Sequence, residues 1–90
     1  MSWGTKIERE KHKRIRLSLA AYSYEFHSHS IMSDGEYDEL SRQVDKTVKT
    51  GNKKLDNFFL TQFEPDTGMW IHNHPELSKI KTLYKQIYGN

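Results

Sequence analysis

No cysteine occurs in this chain, which excludes disulfides and thiolate metal sites and fits a reducing compartment. Its two prolines and five glycines are scattered. They form no phosphate-cradling loop, and no Gly-x-Ser-x-Gly elbow is present. No apolar run approaches the roughly 20 residues of a membrane span. Residues 1–6 lead into mixed charge without the apolar core of a signal peptide. These absences predict a cytoplasmic protein with no membrane partner. With no nucleophile constellation in view, they also predict a binding module rather than an enzyme.

Apolar residues are scarce too, at 34% of 90 residues, which suits one modest core and a single domain over residues 1–90. Aromatics make up 12% and supply much of the buriable area, so the core is expected to rest on Trp, Tyr and Phe.

Net charge is only +2, but its distribution is uneven. Lys6, Arg9, Lys11, Lys13, Arg14 and Arg16 crowd the start, relieved by Glu8 and Glu10. Two readings fit this patch. One is a phosphate-contacting surface for a nucleic acid through Lys6, Arg9, Lys13, Arg14 and Arg16, supported by Lys46, Lys49, Lys53 and Lys54. The other is a solvated helix face with local ion pairs such as Glu10–Arg14 at i,i+4.

Apolar periodicity predicts an all-α bundle of about four helices with an antiparallel hairpin in its N-terminal half. The first helix is expected over residues 6–26. Its buried stripe would be Ile15, Leu19, Tyr22 and Phe26, widened by Leu17, Ala20, Ala21 and Tyr24. Its charged beginning, residues 1–14, would project or fray. Ser33 with Glu36 three residues later is a capping box, with Asp34 and Glu36 at the positive end of the dipole. A second helix should follow over 34–50, burying Tyr37, Leu40, Val44 and Val48, with Gly51 as its left-handed stop. A third is expected over 53–63. Pro65, Asp66 and Gly68 fit a tight turn. Residues 69–72 form an apolar run too short to type, which a lone extended segment carrying Trp70 into the core would fit. The fourth helix should begin at Pro75, with Asn73 or His74 near its cap.

Two His-x-His pairs, His27/His29 and His72/His74, offer imidazole nitrogens to a metal, with Asp34 or Asp66 as added oxygens. An i,i+2 pair converges on a metal only in extended chain, and no third ligand is fixed by spacing. These are weak candidates, and solvated or hydrogen-bonded loop histidines account for them better. Asp34 and Asp38 share a helix face, where paired carboxylates bind cations or simply favour the first turn. Across an antiparallel hairpin they would meet Tyr22 and Tyr24. Rings and carboxylates there suit a base, a ribose or a cationic pyridinium; equally, the tyrosines would only close the core.

Residues 22–40 read Tyr-Ser-Tyr-Glu-Phe-His-Ser-His-Ser-Ile-Met-Ser-Asp-Gly-Glu-Tyr-Asp-Glu-Leu. This stretch resembles the N-terminal helical Ia domain of NAD-dependent DNA ligases. That family carries a Tyr-x-Tyr-His pattern late in one helix and a Ser/Pro-Asp-Ala-Glu-Tyr-Asp-x-Leu motif opening the next. Tyr22 and Tyr24 match the first; Ser33, Asp34, Glu36, Tyr37, Asp38 and Leu40 match the second. The family's histidine is Glu25 here, and its loop proline gives way to Ser28, His29 and Ser30. The resemblance implies binding of nicotinamide mononucleotide or NAD by Tyr24, Asp34, Tyr37 and Asp38. Ligation is not implied, because the nucleotidyltransferase domain is absent from the chain. In size and composition the whole chain is similar to small bacteriophage accessory proteins, which implies a host or phage protein as a further partner, including a host protein that it inhibits.

Overall fold

The computed structural model describes residues 5–65 and 67–89. The described residues form four helices: α1 (Lys6–His27), α2 (Asp34–Gln43), α3 (Lys53–Thr61) and α4 (Leu77–Tyr88). A 3-10 segment, η1 (Met69–Asn73), precedes α4, and no strand occurs among the described residues. The long α1 is the axis of the packing: α2, α4 and η1 all lie against it. No helix among the described residues is long and apolar enough to cross a membrane.

Local chemistry explains where the helices start. Thr5 and Glu8 form a capping box on α1, the Thr5 hydroxyl accepting from the Glu8 amide at 3.1 Å. The anticipated Ser33/Glu36 box opens α2, with the Glu36 amide donating to Ser33 Oγ at 3.1 Å and the Ser33 amide to Glu36 Oε1 at 3.2 Å. Asn52 caps α3 by accepting from the Leu55 amide. At its far end α1 closes on Ser28, which adopts a left-handed conformation (φ 52°). The Ser23 hydroxyl ties the next residue down by donating to the His29 carbonyl at 2.6 Å.

The beginning of α1 is held in the fold from Glu10 onward, while residues 5–9 are exposed. Glu10 and Arg14 are 1% and 4% exposed, inside the fold. Arg14 Nε donates to Glu10 Oε2 at 2.9 Å, and Nη1 to Asp56 Oδ1 at 3.1 Å. Arg14 Nη2 donates to the carbonyls of Asp45 and Val48 at 2.8 and 3.2 Å. The guanidinium also lies 5.0 Å from the centre of the Phe59 ring. One side chain therefore joins α1, the 44–52 connection and α3.

That junction shortens the second helix, which was expected to reach residue 50. It stops at Gln43, and Val44 turns extended. The Asp45 amide then donates to Glu10, and Lys13 Nζ donates to the Gln43 carbonyl at 2.7 Å. Backbone groups that another turn of helix would have used are satisfied by side chains of α1. Gly51 does take a positive φ of 97°, but in the turn before Asn52 rather than as the end of α2.

The buried face of α1 also differs from the apolar stripe. Ile15, Phe26 and Tyr24 are exposed, while Glu10, Arg14, Leu17, Ser18 and Ala21 face inward with Leu19, Ala20 and Tyr22. The core is aromatic as expected. Phe63 packs edge-on to Trp70 at 5.0 Å, and Phe58 edge-on to Phe59 at 5.4 Å. Trp70 is buried, but on a 3-10 turn rather than an extended segment. That turn ends at His74, whose Nδ1 accepts from the Glu76 amide at 3.0 Å, delaying α4 to Leu77 instead of Pro75.

Two predictions follow from the core. Arg14→Met removes the guanidinium from the buried Glu10, which keeps Lys13, and from the part-buried Asp56, and urea unfolding should show a loss of about 3 kcal/mol. Adding Glu10→Gln and Asp56→Asn should recover part of that loss. Burial holds the His74 imidazole down at about 4, against an ordinary 6.5. A depressed folded-state value means its contribution is complete above pH 6.5 and is lost as pH falls toward 4. The urea midpoint should fall across that window, and His74→Asn should flatten the fall.

Candidate functional site

Lys13 meets the Gln43 carbonyl near one end of the α1–α2 pair, while Tyr24 and Asp34 face a common cleft near the other. The two helices are therefore antiparallel. The cleft has a volume of about 440 Å³ and lies between the second half of α1, the start of α2 and residues 67–69. Tyr24, Asp34, Tyr37 and Asp38 all line it, so the four residues picked from the sequence share one cavity.

Each is placed by a different device. The Ser33/Glu36 box sets the first turn of α2, which puts Asp34 and Asp38 on one side at i,i+4. Tyr37 is half-buried, and its hydroxyl donates to the Thr67 carbonyl at 3.0 Å. The same oxygen accepts from Trp70 Nε1 at 3.2 Å. Its phenol is committed to the core, and only its ring is offered to the cleft. Tyr24 is the opposite case: it is 62% exposed, with its ring free to lie over an occupant.

The sequence reading did not single out Glu25 as a site residue. It lines the cleft and holds His72, with Oε1 2.9 Å from Nε2. Its signal was present as the departure from the ligase histidine. Glu25, Asp34 and Asp38 give the cleft an acidic wall, and no lysine or arginine lines it among the described residues. Its electrostatics favour a cationic, flat guest.

The other candidates are dispersed. His27 stacks on Tyr84 with ring centres 4.7 Å apart and meets the edge of Tyr22. His29 is exposed, His72 pairs with Glu25, and His74 is buried beside Phe58 and Phe59. Among the described residues no three His, Asp or Glu side chains gather as metal ligands, so the His-x-His pairs do not combine. Asp66 lies outside the described residues.

The basic patch is partly consumed. Arg14 is buried in its carboxylate pairs, which removes it as a phosphate contact. Lys13 sits 3.0 Å from Glu10, and Lys6 3.7 Å from Asp45. Arg9 and Arg16 lie on the exposed side of α1. Lys46 lies over the Phe63 ring, Lys49 is exposed, and Lys53 and Lys54 border a separate cleft between α1, α3 and α4.

Comparison of the chain with protein-family models, curated proteins and solved structures finds no match. The likeness to the ligase Ia domain therefore rests on the motif residues between Tyr22 and Leu40.

Burial pushes the Tyr37 phenol up to about 12, outweighing the hydrogen bond from Trp70. A raised folded-state value stabilises fully below the ordinary 10 and is lost as pH rises through 12. Alkaline difference absorbance should show one tyrosine ionising near 12, absent in Tyr37→Phe. That variant should also lose about 1 kcal/mol of stability, because Trp70 keeps its bond to the Thr67 carbonyl.

Proposed function

We propose that this chain is a small non-enzymatic binding module of the phage accessory type. Its acidic cleft holds the nicotinamide–ribose half of a nucleotide. The observation that carries this reading is the gathering of Tyr24, Asp34, Tyr37 and Asp38, with Glu25, around one cavity of about 440 Å³.

The chemistry suits the ligand in its oxidised form. A nicotinamide ring is a flat pyridinium cation when joined to ribose. The exposed Tyr24 ring supplies a π-face, and Glu25, Asp34 and Asp38 supply the opposing charge. A carboxylate also accepts hydrogen bonds from ribose hydroxyls. No cation lines the cleft among the described residues, so the 5′-phosphate is left at the solvent side. The basic start of α1 is a less favoured alternative site for nucleic acid, because Arg14 and Lys13 are already engaged with Glu10.

Chemical-shift titration with nicotinamide riboside, its mononucleotide and NAD tests the reading. Saturable shifts should appear at Tyr24, Tyr37 and Asp38, with the riboside binding at least as well as the mononucleotide. Tyr24→Ala should weaken binding about fivefold, the size of one exposed cation–π contact. The reduced, uncharged dihydronicotinamide riboside should bind more weakly still. Silence at those three residues with every oxidised ligand would sink the proposal.

A further inference from the structure

The separate cleft between α1, α3 and α4 is the larger of the two, at about 880 Å³. It shares no lining residue with the acidic cleft. Ile15, Leu55, Ile80 and Leu83 give it an aliphatic floor. Lys11 from α1, Lys53 and Lys54 from α3, and Lys79 from α4 stand around it, all exposed. Glu76 is its one acid among the described lining residues. That carboxylate is already engaged by Asn52 Nδ2 at 3.2 Å and Lys79 Nζ at 3.4 Å. In a chain of net charge +2, four lysines around one cavity are a local concentration of charge.

An internal donor accompanies the lysines. His74 lines the cleft and is 8% exposed. Its Nδ1 accepts from the Glu76 amide, so in the neutral ring Nε2 carries the hydrogen. Burial keeps the ring neutral at pH 7. The first turn of α3, Lys53 and Lys54, lies at the same edge, where helix amides lack intrahelical acceptors.

These features select among anions. A nucleotide base needs an open aromatic face, but Phe59, the aromatic ring of the floor, is 1% exposed and covered by Arg14. Bidentate recognition of a carboxylate or a phosphate needs a free guanidinium, and Arg14 is committed to Glu10 and Asp56, so the charge of any head group here is met by lysines alone. Lysines act as point charges and suit a compact head, and the aliphatic floor suits methylenes. The volume falls within the roughly 300–1,000 Å³ of small-ligand sites.

We propose that this cleft binds a small anionic amphiphile, a carboxylate carried on an aliphatic chain. The head sits beside Lys53 and Lys54, with Lys79 shared with Glu76, and the chain lies over Ile15, Leu55 and Leu83.

The test titrates the full chain with octanoate, decanoate and dodecanoate below their micellar concentrations, read by methyl and imidazole chemical shifts. Saturable shifts are expected at Leu55, Ile80, Leu83 and the His74 ring. Affinity should rise several-fold for each added pair of methylenes and fall with salt. Lys53→Ala/Lys54→Ala, at exposed positions that leave helix content unchanged, should weaken binding roughly fivefold to tenfold. Decyltrimethylammonium, with a chain of similar length and the opposite head, should bind at least as weakly as the variant binds decanoate. No shift at these residues, or equal binding of the two head groups, overturns the proposal. So does an unchanged affinity in the lysine variant. Binding to anionic lipid vesicles without binding of the monomers overturns it in favour of a lipid surface. Capture of a Leu/Glu amphipathic peptide by a chain that ignores alkanoates overturns it in favour of protein docking. Nicotinamide ligands report on the other cleft, so either result stands without the other.

Discussion

A guanidinium buried beside two carboxylates organises this fold. Arg14 brings Glu10 and Asp56 together, takes two backbone carbonyls from the connection after α2, and covers Phe59. Charges removed from water are tolerated only when each finds partners of good geometry. Here Asp56 also accepts from the Thr50 amide and hydroxyl at 2.9 and 2.7 Å. Burial alone would raise its carboxyl, yet the Thr50 hydrogen bonds and the Arg14 charge hold it below the usual range. Such a cluster is weak evidence of net stability but strong evidence of register. Sliding α1 by one residue would strand all of its charges. A chain with so little apolar area thus obtains a defined arrangement from polar specificity.

The same cluster divides the surface. Because Arg14 and Glu10 occupy the inner face of α1 near its beginning, its apolar packing is concentrated from Leu17 onward. The connection from 44 to 52 is drawn across toward Arg14 and delivers Thr50, Gly51 and Asn52 to the lysine-rimmed cleft. On a different face of α1, Ala20, Ala21, Tyr24 and Glu25 meet the start of α2. One helix therefore borders two cavities of opposite charge. The near-neutral total charge conceals this separation, because lysines at one cleft offset carboxylates at the other.

Legibility in the sequence followed the range of the interactions. Capping at Ser33 depends on a residue three positions away, and the all-helical class depends on periodic apolar residues; both were readable. The four residues of the acidic cleft were readable because motif spacing and an antiparallel hairpin are enough to bring Tyr24 to Asp34. The end of α2 was not, because it is decided by Glu10 and Arg14, more than thirty positions earlier in the chain. Hydrophobic periodicity also misplaced the inner face of α1, since it cannot register a buried arginine or glutamate. Trp70 was rightly assigned to the core, but its backbone was not: the bonds of Trp70 Nε1 and the His74 turn, rather than apolar pattern, determine that segment. The larger cleft was not legible as a cavity, although Lys11, Lys53 and Lys54 stood out as basic residues, because its lysines come from three separate helices.

The two walls of the acidic cleft are held with unequal stiffness, and this bears on how a guest is recognised. On one side, the Tyr37 hydroxyl joins Thr67 and Trp70, and Trp70 is packed against Phe58, Phe59 and Phe63. The position of that wall is thus set by the aromatic core itself. Glu25 is restrained by His72, whose ring in turn lies against Phe26 at 4.9 Å. Tyr24 has no comparable restraint among its described contacts and projects into solvent. A guest would find Glu25 and the Tyr37 ring in place, and would need to order the Tyr24 side chain on entry. Ordering a single side chain costs about 0.5–1.5 kcal/mol, far less than rearranging a loop. On the proposed reading, recognition depends on the charge and thickness of the guest that fits between the fixed Tyr37 wall and the movable Tyr24.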